Sequence, residues 1–143
     1  MNLNPKIWGP HGWFFLDSII LSLPKKLNNE QKIIYKNFFT SLQHVLPCEA
    51  CREHYKENLK KYPLTDEILS KKENMIKWIL NIHNKVRKNN NKIPISINKF
   101  FEYYDKQYDK NNIIQKNNIK YYISIIIILI LFLIIIIFYK SNS

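Results

Sequence analysis

The chain has 143 residues, 46% of them hydrophobic and 23% charged, which excludes a disordered chain and leaves enough length for one modest core. Its net charge of +11 arises from 22 Lys+Arg against 11 Asp+Glu. The excess is mostly lysine, scattered among many Asn and Ile, all residues of A+T-rich codons, and with no arginine cluster or nucleic-acid motif it implies no nucleic-acid partner. Two cysteines are too few for a disulfide-stapled secreted scaffold.

No signal peptide is expected: Lys6 leads into Trp8-Gly9-Pro10-His11-Gly12-Trp13, not into an apolar segment with a cleavage site. Trp13, Leu16, Ile20 and Leu23 recur at helical spacing and predict a helix over 11–23, stopped by Pro24. Asn28 or Asn29 can cap a second helix. Its apolar stripe, Ile34, Phe38, Leu42 and Val45, carries it to 46, where Pro47 interrupts. Pro47 suits the first turn of a third helix, where its missing N–H costs nothing, and this helix runs through Tyr55 and Leu59 to end before Pro63. Residues 63–70 read as a connection, with Thr65 and Asp66 as turn or cap signals. A long helix over 71–89 sets Met75, Ile79, Ile82 and Val86 on one face, with Trp78 beside them and His83 on the same side. The asparagine-rich run up to Lys92, followed by Pro94, ends it. Ser96 can cap a last short helix through Phe100, Phe101 and Tyr104.

No strand alternation interrupts this series, so the expected fold class is all-α: a four-helix bundle plus a short fifth helix over 1–104. Residues 105–120 are rich in Asn, Lys, Asp and Gln and read as a polar linker. Residues 121–139 carry no charge, with tyrosines at both ends and Lys120 and Lys140 flanking. As a helix this segment rises about 28 Å, close to the ~30 Å of a hydrocarbon core, so it is expected to be a C-terminal transmembrane helix. The lysines before it orient the preceding domain towards the cytosol by the positive-inside rule, on a virion or host membrane.

Chemistry concentrates in Pro47-Cys48-Glu49-Ala50-Cys51-Arg52-Glu53-His54. A Cys-x-x-Cys pair at a helix N-terminus can toggle between dithiol and disulfide, because exposed N–H groups and the positive end of the dipole favour a thiolate. A thioredoxin-like setting would need a βαβ pattern, which is missing. Zinc held by Cys48, Cys51, His54 and either His44 or His83, in a non-catalytic membrane-anchored adaptor, is the alternative. It lacks the second ligand pair usual in structural zinc sites. A disulfide carrier without any cofactor is a third reading.

Three stretches taken together resemble the FAD-linked sulfhydryl oxidases of the Erv/Alr type, in particular their short viral members. They are Trp8-Gly9 with Trp13-x-x-Leu16, Pro47-Cys48-x-x-Cys51-x-x-His54, and Trp78 followed by His83-Asn84-x-Val86 with Lys92. The resemblance covers about residues 5–95. It implies a helical bundle that cradles FAD, with Cys51 beside the flavin in a charge-transfer contact and Cys48 as the outer sulfur attacked by substrate. Trp8, Gly9, Trp13, His54, Trp78, His83, Asn84, Val86, Arg87 and Lys92 would form the cofactor-binding set, with Lys92 and Arg87 reaching phosphate; no metal is implied. Electrons would pass from protein thiols or a thioredoxin-like carrier through Cys48-Cys51 to FAD and on to O2, giving H2O2. A homodimer is implied as well. Asp17 stands where the family often has His, Arg87 where it has Asn, and Pro10 where many members have Arg. Many members also carry a shuttle cysteine pair, which is not found in this sequence, so electrons are expected to enter at Cys48-Cys51 directly.

Overall fold

Helix formation begins at Asn4, whose side chain accepts the Lys6 N–H at 2.9 Å, with Pro5 pre-set for the first turn. The computed structural model describes residues 3–141, with the backbone alone over 110–116, at 133 and 135, and over 138–141. Helix α1 is Pro5–Leu21, so it starts ahead of the expected 11. Gly9, Pro10 and Gly12 lie inside it, and the capped start lets the helix run through them.

Helix α2, Asn29–Val45, opens with a capping box: Asn28 Oδ1 accepts the Gln31 N–H at 2.8 Å, and Gln31 Oε1 accepts the Asn28 N–H at 3.0 Å. Its buried face differs from the expected stripe. Phe39 and Leu42 are buried, while Ile34 and Val45 are exposed. The face turns by about one residue because α2 packs on α3 (Glu49–Lys61) and α4 (Asp66–Leu69), and Phe39 meets the Trp78 ring edge-on at 5.4 Å. Thr65 caps α4 through its hydroxyl, which accepts the Ile68 N–H at 3.3 Å, so a one-turn helix occupies the expected connection.

Helix α5, Lys72–Asn89, is the central element, packed against α1, α3 and α4. Met75, Ile76, Trp78, Ile79, Leu80 and Ile82 are all buried, each worth about 1.5–3 kcal/mol when fully removed from water. Directed hydrogen bonds fix its neighbours. Trp78 donates from Nε1 to the Tyr62 carbonyl at 2.9 Å, and Lys72 donates from Nζ to the Leu21 carbonyl at 2.5 Å. The buried Tyr55 hydroxyl donates to the Phe39 carbonyl at 3.0 Å, tying α3 to α2. The helix ends in a Schellman turn: Asn91 adopts φ 55°, its N–H bonds the Lys88 carbonyl, and the Lys92 N–H bonds the Arg87 carbonyl at 2.8 Å.

The chain forms two compact units, Met1–Ile97 and Asn98–Ser143. The second consists of helix α6, Ile97–Ser141. It passes through residues 105–120, the expected linker, because no Gly or Pro follows Pro94 to break it. Glu102 and Lys106 pair at 2.7 Å along its surface. The expected transmembrane helix over 121–139 is corrected here: among the described residues no helix is long and apolar enough to cross a membrane. The segment is part of the single helix α6. It is also continuous with a helical first half bearing Lys99, Glu102, Asp105 and Lys106. The membrane anchor and membrane partner expected from that span are therefore unsupported.

Candidate redox site

Leu46, the residue before Pro47, is extended at φ −57°, ψ 137°, as proline imposes on its predecessor. Cys48 is extended too, at φ −115°, ψ 126°, and becomes the N-cap of α3. Pro47 thus lies ahead of the cap and not in the first turn. Cys48 and Cys51 are joined in a disulfide, with Cα atoms 5.0 Å apart, inside the range such a bridge spans. The Cys51 N–H donates to Cys48 Sγ at 3.2 Å. Both cysteines are half-buried, so the pair is supported from below and reachable from solvent. On reduction, the same N–H and the helix dipole would stabilise negative charge on Cys48.

Arg52 completes this corner. Its Nη1 donates to the Leu46 carbonyl at 2.7 Å, pinning the extended segment that delivers Cys48 and keeping a guanidinium next in sequence to Cys51. The Cys-x-x-Cys pattern alone does not single out Arg52; the cation directly after the second cysteine is its signal in the sequence.

The second half of the site lies on the α1–α5 seam. The Trp13 and His83 rings stack with centroids 4.1 Å apart and planes 2° from parallel. His83 Nδ1 lies 3.5 Å from Asp17 Oδ2, and Asp17 is 1% exposed. Trp8 lies against Gly12, where an added Cβ would come within 3.4 Å of its ring, and its indole Nε1 is buried without a hydrogen-bond partner. A flat aromatic surface with an unsatisfied indole donor on the same helix fits a planar, acceptor-rich cofactor such as FAD.

The remaining expected residues are dispersed. Trp78 is in the core, its N–H already taken by Tyr62. Asn84 clamps Ile95: Nδ2 donates to its carbonyl at 2.9 Å and Oδ1 accepts its N–H at 2.8 Å. Arg87 donates from Nε to the Ile93 carbonyl at 2.8 Å. Val86 is half-buried, and Lys92 and His54 are exposed. Gly9 has no atom within 4 Å of where a Cβ would stand. Among the described residues no three or more His, Cys, Asp or Glu gather as a metal site. Cys48 and Cys51, the core of the zinc alternative, are bonded to each other.

A reducible pair at a helix cap, in a helical domain with an aromatic cofactor face, defines a helical dithiol–disulfide redox domain. The chain belongs to the Erv1/Alr family, whose family model matches residues 10–109. It is 46% identical over 84 residues to a probable FAD-linked sulfhydryl oxidase of Acanthamoeba polyphaga mimivirus, covering 59% of this chain and 59% of that protein. It is 31% identical over 98 residues to the FAD-linked sulfhydryl oxidase of African swine fever virus, covering 68% of this chain and 80% of that one. The fold matches the FAD binding domain of Erv1 from Saccharomyces cerevisiae with a TM-score of 0.63 at 24% identity, over 67% of this chain and 89% of that domain. The chain thus spans less than two thirds of the mimivirus relative's length, 59%.

Proposed function

We propose that this chain is an FAD-dependent thiol oxidase that makes disulfide bonds in substrate proteins. The observation that supports it best is the Cys48–Cys51 disulfide at the N-terminus of α3, in a fold shared with an FAD-binding domain. A substrate thiolate attacks Cys48 Sγ, and Cys51 leaves as a thiolate. A second substrate thiol then attacks the mixed disulfide and releases Cys48. The substrate has lost two electrons and two protons, and the Cys48–Cys51 pair is now a dithiol. The Cys51 N–H and the α3 dipole stabilise the reduced pair at Cys48, which makes the disulfide a better oxidant. FAD, when bound, supplies the acceptor for the electron pair and passes it to O2 as H2O2. Trp8, Trp13 and His83 would hold its rings, and Lys92, exposed just beyond α5, is free to meet phosphate.

The substrate is a protein thiol or a thioredoxin-like carrier, taken directly at Cys48, since these two cysteines are the only ones in the sequence. A homodimer completes the reading. It is supported by exposed apolar side chains on the first two helices, Ile7 and Phe15 on α1 and Ile33 and Ile34 on α2.

The test is the absorbance spectrum of the purified chain with FAD supplied. A flavin band bleached by anaerobic dithiothreitol and restored by air supports the oxidase, and a colourless protein overturns it. Cys51→Ser should abolish turnover while leaving FAD bound, because a lone Cys48 thiol offers no disulfide for a substrate thiolate to attack.

A further inference from the structure

Asp17 is the one buried charged side chain among the described residues, at 1% exposure. It follows Trp13 by one helical turn, so the two share a face of α1. Across the seam, His83 meets both: its ring lies flat on Trp13 at 4.1 Å, and its Nδ1 approaches Asp17 Oδ2 at 3.5 Å. Nδ1 is buried and makes no hydrogen bond, whereas the side chain as a whole retains 15% exposure.

A carboxylate taken out of water is costly unless positive charge or a donor compensates it. A proton on His83 Nδ1 offers that compensation, while a lone pair there would face the carboxylate and repel it. Neutral imidazole carries one N–H, and its partner selects which nitrogen bears it. The geometry points to Asp17 as a positioning residue: it keeps the proton on His83 Nδ1, locks the ring against Trp13, and leaves Nε2 as the nitrogen available to a ligand. This deepens the FAD reading, since the ligand at that face is the flavin cofactor, but the Asp17–His83 pairing does not depend on it. The same logic orients metal-binding histidines through a carboxylate on the opposite nitrogen.

The experiment is a two-bond 1H–15N spectrum of the full chain, with His83 assigned by its loss in His83→Gln, alongside FAD titration of Asp17→Asn and Asp17→Leu. In the wild type Nδ1 carries the proton. Asp17→Asn, whose amide oxygen can still accept from Nδ1, keeps that form and holds FAD affinity within about threefold, and Asp17→Leu moves the proton to Nε2 and weakens FAD about tenfold. An unprotonated Nδ1 in the wild type, or unchanged FAD affinity in Asp17→Leu, overturns the proposal. If Asp17→Leu does not fold, the wild-type and Asp17→Asn spectra decide it. A wild-type chain that takes up no FAD defeats the oxidase reading instead, and the tautomer measurement still judges Asp17.

Discussion

Along the α1–α5 seam, Trp13, His83 and Asp17 are held by packing: α5 buries Met75, Ile76, Trp78, Ile79, Leu80 and Ile82, and the rings stack because two helices press them together. At the α2–α3 corner, Cys48 and Cys51 are held by one cap hydrogen bond, one guanidinium contact and their own disulfide, and both residues are half-buried. The contrast suits the two tasks. A pair that must break and remake a covalent bond belongs where rearrangement leaves the core intact. A face that must present rings at a fixed angle belongs where the core permits no alternative.

The comparison breaks most severely at Ile79, which is fully buried on α5. Ile79→Ala should cost about 2–5 kcal/mol and lower flavin affinity with it. Urea unfolding followed by flavin fluorescence reads both losses from one sample. An unchanged stability would mean that the seam is not held by its core.

Tyr55, which ties α3 to α2, tests the corner's support through pH. Burial raises its phenol above the ordinary 10.0, so the native state holds the neutral form while the unfolded chain ionises near that value. The stability it contributes is complete below pH 10.0 and is lost as pH rises beyond it. Tyr55→Phe should flatten this alkaline decline and cost about 1 kcal/mol at neutral pH, from the lost hydrogen bond to the Phe39 carbonyl. Urea unfolding at neutral and alkaline pH compares the slopes.

The smallest effect sharpens the corner. Arg52→Ala removes the hydrogen bond to the Leu46 carbonyl and should cost about 1 kcal/mol of stability. It should also shift the dithiol–disulfide equilibrium towards the disulfide, because the cation that follows Cys51 in the chain is gone. Redox titration against glutathione measures that shift; an equilibrium identical to wild type would leave Arg52 only its structural contact.

Local chemistry made much of this legible. The α2 start could be read from Asn28 and the α5 span from its apolar period, because a cap and a period involve residues within a turn of one another. The Cys-x-x-Cys and its place at the head of α3 were equally readable. The start of α1 lies ahead of the expected 11 because the Asn4 cap sets it, whereas the apolar spacing begins only at Trp13. Residues 105–120, expected as a linker on polarity, are helical within α6, since polar residues without Gly or Pro extend a helix readily. The transmembrane helix expected over 121–139 rests on composition alone, and the described residues do not sustain it.

The sequence by itself determined where helices are capped, where prolines stop them and which two sulfurs can meet, since each depends on neighbours a few residues away. Only the tertiary structure decided which face of α2 is buried, why Trp78 lies in the core while Trp13 stacks on His83, and that Asp17 reaches Nδ1 of a residue in α5. Those outcomes depend on which helices pack together, and a helix's own pattern cannot specify the partner that will turn it by one residue.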